Sequence, residues 1–372
     1  MSARGRRILI SAGEPSGDAL GGALVDAMTQ RRDGLLFEGP GGSAMADAGV
    51  ALRYPIDQLS AIGFLEVIGA VPRHLRLMRG LVRDAEAGRF ALAILIDYPE
   101  FHLRLGARLR QAGVPVLWYV APQLWAWAPG RLARLRGAAD RIAAVLPFEA
   151  SWFGDRGVAT AFVGHPLRDR PIVDRGAARR ALQLPSEGPI LGIFPGSREG
   201  EIERNWPLFR DVAKQMLATG ACSLVVAAAT SGGYYPEAGP ILLQRDRAAM
   251  VMAASTAVLV KSGTTTLEAA IAGRPMVVAY RTSWLTHQIA ERVLTVDHIS
   301  LTNLVAGRAV VPEFWHWPVP ADQVAAALQP LLEESGAAHQ AQVEALAAIA
   351  GALGPPGASA RVAQLALDLA GV

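Results

Sequence analysis

Short, mainly apolar runs alternate with longer segments of helical periodicity along most of this chain. In the first half the runs are 7–11, 35–38, 92–96, 116–120, 142–146 and 160–163; in the second they are 190–194, 224–228, 257–260 and 276–280. Strands that are apolar without alternation, spaced by helices, belong to parallel sheets covered on both faces. Two such sets predict an α/β protein of two doubly wound, Rossmann-like domains. The charged, Pro-containing segment 168–180 reads as the linker, giving expected domains over 1–167 and 168–345. From Ala321 the chain is Ala-rich and helical, interrupted by Gly354-Pro355-Pro356-Gly357. Residues 346–372 are expected to form a helical tail that packs back on the first domain or on a partner subunit.

Composition narrows the class. A hydrophobic fraction of 51% in 372 residues is ample for buried cores. The 36 basic and 33 acidic residues leave a net charge of +3, which does not describe a nucleic-acid binder. Lys214 and Lys261 are the only lysines, so the basic charge is nearly all arginine. Cys222 stands alone, which excludes an intrachain disulfide and a multi-cysteine metal site. The apolar run Ile8–Ile10 is too short for a signal peptide, and no run approaches the length of a membrane span. The expectation is a cytoplasmic protein whose membrane contact, if it has one, is peripheral.

Ligands of open parallel sheets bind beyond the carboxyl ends of the strands, so candidate chemistry is sought there. The stretch 256–281 reads strand, turn, helix, strand, with Gly273 and Pro275 closing the helix. Its turn, Ser262-Gly263-Thr264-Thr265-Thr266, aims hydroxyls, unpaired N–H groups and the positive end of the helix dipole at one spot that suits a phosphate. Ordinary capping is the other reading, but it needs fewer hydroxyls. Gly196-Ser197-Arg198 ends the run 190–194, and an arginine beside such a turn can clamp phosphate through two bonds. Together the two loops describe a pyrophosphate site. Glu268, in the first turn after the second loop, suits the hydroxyls of a ribose or simply favours the helix dipole.

In the first half, Asp97 ends the run 92–96 where a buried strand opens. A partly desolvated carboxylate there suits a general base, or it caps the next helix; Glu100 is the alternative base or a partner. The turn containing Ser16, Gly17 and Asp18, and Gly41 with Gly42 after the second strand, read as contacts for a polyhydroxylated ligand or as tight connections. Gln123, Trp125 and Trp127 can line a sugar or lipid site or pack the domain face. Asn303 and Arg308 are candidates for substrate contact or for satisfying their own loop. Over 66–83, Val71, Leu75, Met78 and Val82 fall on one helical face with Arg76, Arg79 and Arg83 beside it, and Pro72 suits a first turn. Preceded by Ile62, Phe64 and Leu65, and including Val67 and Ile68, this segment fits a helix lying on an anionic membrane surface, or a core-facing helix with a solvated arginine face.

SAGEPSGD at 11–18, IDYPEF at 96–101, YVAPQLWAW at 119–127, GHPL at 164–167, FPGSR at 194–198, SGTTTLE at 262–268, RPMVVAYR at 274–281, TNLVAGR at 302–308 and VPEF at 311–314 occur in the order seen in bacterial lipid-A-disaccharide synthases. The chain resembles that family from about residue 7 to about residue 314. The resemblance implies a GT-B glycosyltransferase, with two Rossmann-like domains facing each other across a cleft. It implies inverting transfer of 2,3-diacylglucosamine from UDP-2,3-diacylglucosamine to 2,3-diacylglucosamine 1-phosphate (lipid X), giving β-1,6-linked lipid A disaccharide 1-phosphate and UDP. Position by position, Asp97 is implied as the general base, Arg198 and Asn303 as residues needed for activity, and Ser262–Glu268 as the nucleotide-binding stretch. Association with the cytoplasmic face of the inner membrane and a homodimer formed by exchange of C-terminal segments are implied too. No D-x-D motif is present, which agrees with metal-independent, cofactor-free transfer. The chain departs from the family at His102, where Asn is frequent, and at Thr302, where Pro is usual. A UDP-N-acetylglucosamine 2-epimerase-like enzyme of the same architecture and a non-catalytic peripheral nucleotide- or lipid-binding protein are the alternatives.

Overall fold

The computed structural model describes residues 7–56, 64–281, 288 and 292–371, with the backbone alone over 64–71. The chain divides into two compact units, Met1–Asp169 with Leu353–Val372, and Arg170–Ala352. The expected boundaries at 167 and 345 differ from these. The helix Ala337–Ala352 runs unbroken through position 345 and belongs to the second unit, and the turn at Pro166–Asp169 stays with the first. The segment read as a linker contains a helix, α8 (Arg175–Ala181), whose start is capped by the Asp174 carboxylate accepting from the Ala177 N–H at 2.8 Å.

The first unit carries a seven-stranded sheet. Its strands are β1 (Arg7–Ala12), β2 (Leu36–Gly41), β3 (Ala51–Pro55), β4 (Leu92–Ile96), β5 (Val116–Tyr119), β6 (Arg141–Ala144) and β7 (Thr160–Phe162), in the order β3-β2-β1-β4-β5-β6-β7. All pairings are parallel. Every residue of β4 is buried, as an apolar run between two helical layers requires. Its helices are α1 (Pro15–Thr29), α2 (Ser43–Asp47), α3 (Phe64–Glu86), α4 (Pro99–Gln111), α5 (Leu124–Trp127), α6 (Leu132–Ala138) and α7 (Glu149–Gly154). The last helix of the chain, Ala358–Ala370, packs on α1, β4 and β5 with Ala358, Val362, Ala363 and Ala366 fully buried. Arg361 holds that return in place, donating to the carbonyls of Val163, Pro355 and Pro356.

The second unit repeats the plan with six parallel strands, β8 (Ile190–Phe194), β9 (Leu224–Ala229), β10 (Leu242–Arg245), β11 (Ala257–Val260), β12 (Met276–Ala279) and β13 (Glu313–Phe314), ordered β10-β9-β8-β11-β12-β13. Alongside lie α8, α9 (Glu199–Ala218), α10 (Ala248–Ala254), α11 (Thr265–Ile271) and the helices Leu301–Ala306, Ala321–Leu328 and Ala337–Ala352. Separate apolar clusters fill the two sides of this sheet: Leu191, Ile193 and Leu259 point into one, and Ile190, Val258 and Val260 into the other. In each unit the chain winds outward from the first strand and then returns to that strand's other side. The order therefore reverses between β1 and β4, and between β8 and β11, and a ligand crevice is expected at the carboxyl ends there.

Strands β3, β10 and β13 lie outside the apolar runs. They are edge strands whose residues are largely exposed or half-buried, so burial imposes no apolar pattern on them. Helix α3 differs from its expected reading in two ways. Pro72 lies inside the helix, not in its first turn. The face turned to the core carries Leu77, Met78, Leu81 and Ala85, whereas Leu75 is 41% exposed between Arg73, Arg76 and Arg79. Ile62 lies outside the described residues, as do the side chains of Phe64, Leu65, Val67 and Ile68.

Candidate active site

In the first unit, β1, β4 and β5 end level with one another: Ala12 pairs with Ile96, and Ile96 with Tyr119. Asp97 follows at once. Asp97 and Tyr98 both adopt left-handed backbone, with φ of +50° and +53°, and Val120 at the end of β5 has φ of +65°. Such conformations cost about 1–3 kcal/mol each in residues other than glycine and persist only where the surroundings hold them. Here the Asp97 N–H donates to the Tyr119 carbonyl at 2.9 Å, and its carbonyl accepts from His102 Nδ1 at 2.6 Å. The Tyr98 ring lies over Gly13, where a Cβ would come within 2.4 Å of it, and its hydroxyl meets His74 Nε2 of α3 at 2.8 Å. Asp97 itself is half-buried. Glu100 differs: its side chain is 69% exposed and paired with Arg131 at 2.5 Å, so it lacks the desolvation that suits a base.

The neighbouring glycine loops turn out to be built inward. Asp18 is buried, and its carboxylate accepts from the N–H groups of Gly42, Ala44 and Met45 at 2.6, 3.0 and 3.1 Å. It thus caps α2 and offers no oxygen to a sugar, contrary to its expected role. Gly42 must be glycine because a Cβ would sit 2.6 Å from Asp18 Oδ2. Gly17 and Gly41 are buried, while Pro15 and Ser16 on this loop are exposed. After β5, Gln123 is exposed. Of the two tryptophans, Trp125 is buried and donates to Glu149 Oε1 at 3.1 Å, while Trp127 is 42% exposed under the Arg131 guanidinium.

In the second unit, Phe194 pairs with Val260, so the loops after β8 and β11 are adjacent. They are tied by a pair the sequence alone does not reveal. Glu201, in the first turn of α9, accepts from Lys261 Nζ at 2.8 Å through one oxygen. Through the other it accepts from the N–H groups of Ser197 and Arg198 at 3.3 and 3.5 Å. Burial raises the Glu201 pKa, but the Lys261 ammonium and the two N–H groups outweigh it and leave it below the usual carboxylate range. Gly196, at φ +140°, has no room for a Cβ, which would meet that of Glu201 at 2.7 Å. Arg198 and Thr264 are exposed, Ser197 is exposed, and Thr265 is half-buried. Thr266 is turned inward, its hydroxyl donating to the Gly263 carbonyl at 2.9 Å, and Ser262 donates to Ile299 at 2.6 Å. The two loops therefore lie side by side, with two of their five hydroxyls, those of Ser262 and Thr266, spent on shaping the turn. Gly273, at φ +63°, ends α11.

Two predicted contacts read differently in place. Glu268 pairs with Arg170 at 3.0 Å. Asn303 is fully buried: its Nδ2 donates to Val311 and Glu313, and its Oδ1 accepts from the N–H groups of Val310 and Val311. Every polar atom of that amide is committed, so Asn303 shapes the loop after the helix Leu301–Ala306 and does not face a substrate. Glu313 completes the bracket by accepting from Ile299 and Ser300, both at 2.9 Å. Arg308, beyond the same helix, is exposed. Thr302 donates to the Thr266 carbonyl at 2.9 Å, tying this helix to α11. Among the described residues no group of three His, Cys, Asp or Glu side chains could hold a metal ion.

Two doubly wound units, each with its candidate loops at the point where strand order reverses, define the α/β architecture of the GT-B glycosyltransferases. Solved structures agree in fold. Acinetobacter baumannii MurG superposes with a TM-score of 0.60 at 14% identity, covering 98% of this chain and 99% of that one. A Neisseria meningitidis UDP-GlcNAc 2-epimerase bound to UDP-GlcNAc gives 0.66 at 11% identity, covering 97% and 100%. Sequence comparison is more specific: the lipid-A-disaccharide synthetase family matches residues 8–351. Lipid-A-disaccharide synthases of Azotobacter vinelandii and of Pseudomonas aeruginosa strain LESB58 are 40% and 39% identical to this chain, covering 98% and 99% of it and of themselves. The chain belongs to the lipid-A-disaccharide synthetase family.

Proposed function

We propose that this chain is an inverting glycosyltransferase that makes the lipid A disaccharide. The donor is UDP-2,3-diacylglucosamine and the acceptor is lipid X; the products are the β-1,6-linked disaccharide 1-phosphate and UDP. Asp97 takes the proton of the acceptor hydroxyl as its oxygen attacks the anomeric carbon and the bond to UDP breaks. Arg198 and the N–H groups and hydroxyls at Thr264 and Thr265 stabilise the charge that develops on the departing diphosphate. The first unit supplies the base, and the second holds the nucleotide. The observation that carries the reading is the placement of Asp97, on a strained left-handed turn at the strand-order reversal of the first sheet. Family membership supports the substrates.

Both substrates carry acyl chains, and α3 presents exposed Leu75 among exposed Arg73, Arg76 and Arg79. This supports peripheral contact with the inner membrane; no described helix is long and apolar enough to cross one. A homodimer built by exchanging the C-terminal helix would repeat the Arg361 contacts between chains, and light scattering of the purified protein reads it directly. The enzyme is tested by incubating it with radiolabelled UDP-2,3-diacylglucosamine and lipid X. Asp97→Ala is expected to lose about 10²–10⁴-fold in turnover with its fold intact. No disaccharide from the unaltered chain would sink the synthase reading, and full activity in Asp97→Ala would remove Asp97 as the base.

A further inference from the structure

The left-handed turn at Asp97 is held by a buried relay that the reaction itself does not use. His102 sits in the first turns of α4, wholly buried and ringed by Tyr98, Phe101 and Trp118. Its Nδ1 lies 2.6 Å from the Asp97 carbonyl oxygen, and its Nε2 lies 2.8 Å from Ser11 Oγ at the end of β1. A carbonyl oxygen only accepts, so Nδ1 carries the hydrogen. Nε2 is then bare and accepts the Ser11 O–H. Burial lowers the pKa of the imidazole to about 4, against the pull of the Asp97 carbonyl, so the ring is neutral near pH 7 and this tautomer is fixed. Ser11, His102 and Asp97 thus join β1, α4 and the end of β4 through two hydrogen bonds.

We infer that His102 is a positioning residue for Asp97, with Ser11 anchoring the other ring nitrogen, so that the relay fixes the direction in which the Asp97 carboxylate leaves the backbone. The inference rests on Asp97 being the base. A residue held in the left-handed region has little intrinsic reason to stay there. Without the His102 bond the carbonyl can rotate, and the carboxylate moves with the same peptide. A misplacement on the order of 1 Å costs about 10²-fold in rate. Asparagine at this position places its amide nitrogen where Nδ1 stands and can keep the bond to the Asp97 carbonyl; phenylalanine fills the aromatic pocket and can make neither bond.

The test is steady-state kinetics of the full chain with both lipid substrates in detergent micelles. His102→Phe is expected to lower kcat by at least about tenfold while KM for the UDP-sugar stays within about twofold. His102→Asn is expected to restore most of that loss. Ser11→Ala leaves the ring in place and is expected to lower kcat by about threefold or more, which keeps the idea testable if His102→Phe does not fold. The double variant Asp97→Asn/His102→Phe should be no slower than Asp97→Asn alone, because His102 acts only through Asp97. Unchanged kcat in Ser11→Ala or in His102→Phe overturns the inference, as does a His102→Asn enzyme no better than His102→Phe. Losses that multiply in the double variant overturn it as well. Normal turnover in Asp97→Asn alone instead removes the base reading, so the two failures are told apart.

Discussion

Glu201 and Lys261 lie 60 residues apart in sequence, yet their ion pair sets the spacing of the two loops proposed to take UDP. Both side chains are largely buried, so removing one leaves the other charged and poorly solvated. Lys261→Met is expected to cost about 1–3 kcal/mol of stability and to weaken UDP binding, measured by thermal melts and calorimetric titration. An unchanged melt together with unchanged UDP affinity would show that the pair is decorative. Glu149 offers a second residue-level test. Burial pushes its pKa up to about 7 from the ordinary 4.5, although the Trp125 indole and the N–H groups of Leu146 and Val145 pull the other way. The folded chain therefore keeps a proton that the unfolded chain has released. That contribution is fully present below about pH 4.5 and is lost as pH rises through about 7. Relative to the unaltered chain, Glu149→Gln should flatten the fall in melting temperature between these pH values; parallel profiles would refute the assignment.

At the scale of elements, α3 is where function and packing compete for one surface. Leu77, Met78, Leu81 and Ala85 serve the core, which leaves Leu75 and its arginines to solvent or to lipid. Replacing Phe64, Leu65 and Ile68 together with Ser is expected to reduce sedimentation with anionic liposomes severalfold while thermal stability holds. Undiminished sedimentation would place membrane contact elsewhere. The central strands were legible in the sequence because burial on both faces writes an unbroken apolar run, as in Leu92–Ile96. The loops of β8 and β11 were legible because hydroxyls and glycines gather there out of proportion to capping. The edge strands β3, β10 and β13 were not, since an exposed edge imposes no pattern. Nor were the internal uses of Asp18 and Asn303: a polar residue in a loop looks the same in sequence whether it faces a ligand or its own backbone. His102 was visible only as a departure from its family, and its bond to Asp97 needed the folded turn to be seen.

At the scale of the whole molecule, the first unit is completed by Leu353–Val372, after the second has intervened. Arg361 secures that return through three backbone carbonyls, two of them in the Gly354–Gly357 turn. Arg361→Met is expected to lower the stability of the first unit by about 2–3 kcal/mol, read as an early transition in chemical denaturation with UDP binding by the second unit retained. A single unshifted transition would count against it. The same connectivity bears on synthesis. Chains generally fold domain by domain as they leave the ribosome. Here the sheet that emerges first has its covering helix encoded last, while the second unit lies whole in between. The unit begun before the second is completed only after it, and until the helix Ala358–Ala370 arrives its face of α1, β4 and β5 stays uncovered.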